Sequence, residues 1–155
     1  MRQIRLASHD DTTVADVEQS AADGITISEF PTTLVAARRA RELGQQIVMG
    51  SPNVVLGGSH SGNVSALQLA EAGLLDILTS DYVPSSLLHA VFRLGERSGD
   101  LPAALATVTA GPAALLGLAD RGRIAPGLRA DLLLVRLVSG VPVIRAIWAG
   151  GRRYL

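Results

Sequence analysis

Four residues carry the chemistry this sequence offers: His9, Glu29, Asn53 and Asp81. Each stands where a short apolar run turns polar, in IRLASHDD, GITISEF, QQIVMGSPN and LLDILTSDYVP. Each run passes through a serine just before its polar end: Ser8, Ser28, Ser51 and Ser80. A carboxylate at the tip of a buried strand is costly unless it is paired or bound to a metal. There are 0 cysteines, so thiolate metal sites and disulfides are excluded. A metal here must be held by carboxylates and by some of the three histidines, His9, His60 and His89.

The elements that position these residues follow from the pattern. Apolar, β-branched runs alternate with stretches of helical spacing, which predicts βαβ units and a parallel sheet. Right-handed crossovers place all four strand ends on one edge, so the four polar residues share a rim. Thr13-Val14-Ala15-Asp16 reads as a capping box with Asp in place of Glu, and Gly24 and Gly44 close the first two helices. The second helix has Leu34, Ala37, Ala40 or Arg41, and Leu43 as its stripe, with Arg38, Arg39 and Arg41 read as its solvated face. His89 falls mid-helix on an exposed face.

The stretch from Gly50 to Asn63 reads as a long loop. Its Gly57-Gly58-Ser59-His60-Ser61-Gly62-Asn63 segment lets backbone N–H groups approach a ligand closely. The helix expected after it, near 64–72, offers its N-terminus to the same space. Both features suit an anion such as phosphate.

Composition excludes other classes. The chain has 155 residues, 48% of them hydrophobic and 18% charged, which is enough to build one folded domain with a sizeable core. Basic and acidic residues balance at 14 each and aromatics are 3%, so no basic stripe with interleaved rings marks a nucleic-acid binder. No signal-peptide pattern opens the sequence, and no apolar run reaches about 18 residues. A soluble cytoplasmic protein, with no membrane partner, is the expectation. After Leu118 the chain becomes turn-rich, and two strands, 132–137 and 141–148, follow as a hairpin. The domain boundary is placed near residue 120, giving 1–119 and 120–155.

Longer motifs carry a resemblance. Thr109-Ala110-Gly111-Pro112-Ala113, Leu116-Gly117-Leu118, Gly122-Arg123-Ile124-Ala125-Pro126-Gly127 and Ala130-Asp131-Leu132 together resemble the C-terminal signature of the amidohydrolase superfamily. The rim motifs resemble its phosphonate-metabolism subgroup: Ala7-Ser8-His9-Asp10-Asp11-Thr12-Thr13, Ser28-Glu29-Phe30-Pro31-Thr32-Thr33, Met49–Val55, the 57–63 segment and Ser80–Pro84. That subgroup removes pyrophosphate from ribose methylphosphonate triphosphate, on the route to carbon–phosphorus bond cleavage. The resemblance implies an α/β fold: the C-terminal half of a TIM-type (β/α)8 barrel, followed by strands of a small β-sandwich. It implies a divalent metal, zinc first, with manganese or iron as alternatives. His9 matches a metal ligand, and Asp81 matches the residue that touches metal and takes a proton from water. Gly57, Gly58, Ser59, His60, Ser61 and Asn63 are expected to cradle the phosphate or phosphonate end, with His60 as donor or further metal ligand. Asp10, Asp11 and Glu29 are expected as supporting or substrate contacts, with a helix N-cap as the alternative for Asp11.

The sequence departs from the family in one respect. His-x-His, which family members carry on their first strand, does not occur. Four βα units are half of a (β/α)8 barrel. The missing half implies a piece of a longer enzyme, a partner chain that supplies it, or pairing of two copies. Against the hydrolase stand a non-catalytic anion-binding module and a deacetylase or cyclic-amide hydrolase. Rim acids favour the metal enzyme, because a bare phosphate binder has no use for four carboxylates.

Overall fold

In the computed structural model, residues 4–58 and 62–155 are described. The chain divides into two compact units, Met1–Ala90 and Val91–Leu155. The boundary near residue 120, where the composition changes, lies inside the second unit.

The first unit is the βαβ array the alternation predicts. Strands β1 (Ala7–His9), β2 (Ile27–Glu29), β3 (Gln46–Gly50) and β4 (Ile77–Thr79) form a parallel sheet in the order β1-β2-β3-β4. Helices α1 (Val14–Ala22), α2 (Leu34–Glu42), α3 (Ser51–Leu56) and α4 (Ala66–Glu71) lie between them. Register places Ser8 beside Ser28 and Ser28 beside Ile47. These residues, with Met49 and Leu78, are buried. Alternation puts His9, Glu29, Gly50 and Thr79 on the opposite face of the sheet.

Local chemistry sets each helix. Thr13 caps α1, and its capping box with Asp16 is closed from both sides, as the sequence predicts. Hydrogen bonds from the Thr13 amide first, and the Thr12 amide next, hold the Asp16 carboxyl below its ordinary range. One exit device follows α1, α2 and α4: Ile25, Gln45 and Leu74 each donate an amide back to the carbonyl of Ser20, Ala40 and Leu69, at 3.0, 2.9 and 2.8 Å. The glycine before each, Gly24, Gly44 or Gly73, has φ near +70 to +78°, a conformation that costs other residues a Cβ clash.

Two expectations about helices are corrected. The inward stripe of α2 is Ala36, Ala37 and Ala40, while Leu34 and Leu43 are partly exposed. Arg41 is not on a solvated face. Its guanidinium grips both oxygens of Asp76 at 2.8 Å, and Asp76 also accepts the Ile47 amide at 2.7 Å. Arg39 bridges Glu18 of α1 and Glu42 of its own helix. Nor is the stretch from Gly50 all loop: α3 forms its first half. Pro52 stands in its first turn, where a missing N–H costs nothing.

The second unit holds most of α5 (Ser86–Ser98), then α6 (Leu101–Ala106) and α7 (Ala110–Leu115). It ends in an antiparallel sheet of β5 (Leu132–Val138), β6 (Val141–Ala149) and β7 (Arg152–Arg153), in that order. The expected hairpin is present, with a third strand added. Its turn is Ser139-Gly140, with both φ positive, at 50 and 79°, which matches the twist of paired strands. Strand β6 begins at Val141, as the strand expected over 141–148 does. Asp131 accepts the Gly150 amide at 2.7 Å and pairs with Arg129. The Gly150 bond first, and Arg129 next, hold its carboxyl below the ordinary range. The aspartate of the Ala-Asp-Leu motif therefore fastens the β6–β7 turn.

Candidate functional site

The carboxyl ends of the parallel strands form the rim. At β1 and β2 the register sets His9 beside Glu29. His9 Nδ1 lies 3.1 Å from Asp10 Oδ2, and Nε2 lies 3.9 Å from Glu29 Oε2. The Phe30 ring meets the imidazole edge to face, with centroids 5.2 Å apart.

Three rim residues have strained backbones. Asp10, Phe30 and Asp81 have φ of 60, 56 and 50°. Such conformations cost roughly 1–3 kcal/mol each and persist only where surrounding bonds impose them. Here the bonds are visible. Asp10 N–H donates to Glu29 O at 3.0 Å, and Phe30 N–H to Val48 O at 2.9 Å. The ladder thus runs one residue past each strand, and the left-handed turn then re-aims the side chain toward the rim.

A pocket of about 200 Å³ opens on the β2–β4 side. Asp10, Phe30, Gly50, Asn53, Asp81 and Tyr82 are in its wall, with Leu56, Gly58 and Asn63. Gly50 is where the strand meets the acid: a Cβ there would stand 3.0 Å from Asp81 Oδ2. The Ser51 and Ser86 hydroxyls meet at 2.5 Å, and Ser86 donates on to Val83 O at 2.6 Å. This link pins α3 to the turn that carries Asp81.

Several expected residues therefore meet. Asp10, Gly58, Asn63 and Asp81 share the pocket, and His9 and Glu29 stand together on the β1–β2 side. Three placements differ from expectation. Asp11 is buried, and its carboxylate accepts from Ser8 and Ser20 rather than reaching the rim. It is not a helix N-cap either, since Thr13 takes that role. Gly57 ends α3 in the left-handed conformation and is not in the pocket wall. The α4 N-terminus is not open to an anion: Ser65 bonds the Gln68 amide, and Asn53 Oδ1 accepts from Ala66 at 2.8 Å. Ser59, His60 and Ser61 lie outside the described residues. His89 Nδ1 lies 3.2 Å from the carbonyl of Ser85, the residue before its helix.

His9 ends β1 and Asp81 follows β4, the two edge strands of this sheet. Among the described residues no group of three or more His, Cys, Asp or Glu is placed to hold a metal ion. The donors that do face each other are His9 Nε2 and Glu29 Oε2. Nitrogen and oxygen donors of this kind suit zinc and similar divalent ions. Residue-type reasoning assigned no role to Phe30, Tyr82 or Gly50. For Phe30 and Gly50 the usable signal is adjacency to a strand end.

A parallel sheet with polar strand ends and this C-terminal motif has known counterparts. The amidohydrolase family matches residues 4–148. The chain belongs to that family. It is 50% identical, across 98% of its length, to the C-terminal part of alpha-D-ribose 1-methylphosphonate 5-triphosphate diphosphatase from Escherichia coli K12. It covers 41% of that enzyme. An imidazolonepropionase from Streptomyces griseus is 36% identical over 57% of the chain, which covers 26% of that protein. Among solved structures, a prolidase complexed with N-methylphosphonate-L-proline superposes with a TM-score of 0.67 at 20% identity, over 97% of this chain and 45% of that one. An amidohydrolase from Thermotoga maritima superposes with a TM-score of 0.59 at 18% identity, over 98% and 43%. The two structures speak for the fold alone. The chain spans less than half the length of each of these proteins.

Proposed function

We propose that this chain carries the C-terminal part of a metal-dependent hydrolase of phosphonate metabolism, which releases pyrophosphate from ribose methylphosphonate triphosphate. The observation that carries this reading is the 50% identity to the diphosphatase across 98% of the chain. The rim supports it: an acid-lined pocket at strand ends is where a TIM-type barrel holds its chemistry. In this reading the four βα units are half of such a barrel. The β5–β7 sheet belongs to a small β-sandwich completed by residues beyond this chain. A partner chain, a second copy or a longer form of this protein supplies the rest. No described helix is long and apolar enough to cross a membrane, and the cytoplasm is the proposed location.

In the reaction, water attacks phosphorus, a P–O bond of the triphosphate breaks, and pyrophosphate leaves with that bond's electrons. Asp81 accepts the water's proton, as a carboxylate in reach of the substrate can. His9 and Asp81 would hold the metal, zinc first, together with ligands from outside the chain. The ion, when bound, supplies Lewis-acid chemistry and an acidified water. Gly58 and Asn63, with the 59–61 segment, hold the phosphate or phosphonate end, and Asp10 and Glu29 orient the rim.

One observation favours a second reading. The chain covers 41% of the diphosphatase it resembles, and on this second reading it is by itself a binding module without turnover. The two readings separate in one assay. The chain is co-expressed with the part of the E. coli diphosphatase it does not match, and pyrophosphate release is measured. Release that disappears in Asp81→Asn supports the hydrolase. A stable complex that releases none, while the intact E. coli enzyme does, leaves the binding module.

A further inference from the structure

We propose that Glu29 is a direct metal ligand beside His9, and that Asp10 and Phe30 set the imidazole for it. The inference rests on the metal-hydrolase reading and goes beyond it, because that reading gives Glu29 only a supporting place.

The geometry is specific. Glu29 and His9 are register partners at the ends of adjacent strands, so their side chains leave the same face. The two donor atoms that face each other are 3.9 Å apart. Bonds of about 2.1 Å to one zinc-like ion span roughly 3.4 Å at a tetrahedral angle and about 4.2 Å when opened flat. The observed gap lies between these limits. It is too wide for a hydrogen bond.

The other imidazole nitrogen is already engaged. Asp10 Oδ2 stands 3.1 Å from Nδ1. A carboxylate there favours the tautomer with its proton on Nδ1 and leaves the Nε2 lone pair toward Glu29, the usual arrangement behind a metal-bound histidine. Phe30 fixes the ring plane by its edge-to-face contact. Asp10 and Phe30 reach these positions through left-handed backbones. Two strained residues in one small region, both touching the same imidazole, are consistent with a ring held for a purpose. The pair supplies two donors; water, substrate or the missing part of the enzyme supplies the others.

The test is zinc titration of the 155-residue chain by calorimetry, with the His9 imidazole followed by NMR. One saturable zinc that shifts the His9 signals is expected. Glu29→Gln keeps size and polarity but removes the anionic donor, and it should weaken zinc binding about tenfold or more. Asp10→Asn should weaken it less, with the His9 tautomer signature changed. Circular dichroism confirms that each variant is folded. If Glu29→Gln binds zinc as tightly as the parent chain while His9→Ala does not, Glu29 is not a ligand, and the hydrolase reading is untouched. If the parent chain binds no zinc and His9 does not respond, the site proposed here is wrong. Pyrophosphate release by the complemented enzyme then decides the hydrolase reading separately.

Discussion

The two ends of the parallel sheet treat charge in opposite ways. At the amino ends, Asp76 meets the Arg41 guanidinium and the Ile47 amide, so its negative charge is fully occupied. At the carboxyl ends, Asp10, Glu29 and Asp81 gather with no described guanidinium or ammonium ion pair of their own. For Asp10 and Glu29 the chargeable neighbour is His9. The backbone follows the same division. The three strained non-glycine residues of the first unit all sit at the carboxyl ends. An end that serves stability pairs its charges and relaxes its backbone; an end that serves chemistry leaves charges open and holds strain.

That contrast can be broken from either side. The largest effect is expected from Asp81→Ala in the complemented enzyme: kcat should fall by about 10²–10⁴, the usual range for losing a positioned proton acceptor. The midpoint of urea unfolding should barely move. A large stability loss with activity retained would invert the comparison.

Asp76→Ala tests the other end. It leaves the Ile47 amide and the Arg41 guanidinium without their acceptor, a loss of about 1–3 kcal/mol for partly buried groups. Urea denaturation of the chain should show this, while zinc affinity at the rim stays within a factor of two or so. Lost zinc affinity without lost stability would mean the two ends are coupled.

Gly50→Ala sharpens the contrast within the rim. The added Cβ would crowd Asp81 Oδ2 at 3.0 Å. A displaced carboxylate should lower kcat by roughly tenfold, because small misplacements of a reacting group are costly. Unaltered kcat would show that Asp81 tolerates displacement.

The smallest effect belongs to Asp131, outside the sheet. Its folded-state carboxyl lies below the ordinary value of 3.8, chiefly through the Gly150 amide. A depressed value contributes stability that is present above about 3.8 and is lost as pH falls through the lower folded value. Asp131→Ala should therefore lower Tm at neutral pH, and the gap from the parent chain should close on strong acidification. A gap that is constant with pH would mean the charge is irrelevant to the turn.

Much of this architecture was legible in the residues. The recurring apolar run, serine and polar tip marked four parallel strands and their rim. Thr13 and Asp16 marked a capping box, and Gly24 and Gly44 marked helix ends, because caps and left-handed glycines depend on neighbours only a few residues away.

Other features depended on distant partners. Asp11 looked like a rim acid but points into a buried pocket made by Ser8 and Ser20, because chain direction after β1 decides which of two adjacent aspartates faces outward. Arg41 looked solvated until Asp76, 35 residues on, was brought beneath it. Phe30 meets the His9 ring from a left-handed backbone held by its amide bond to Val48. The sequence by itself determined which elements form, in what order, and which strand ends carry polar groups, since periodicity, caps and turns are local. Tertiary structure alone decided which acids face each other across the strands, since that depends on sheet register and on a single dihedral at each strand's end.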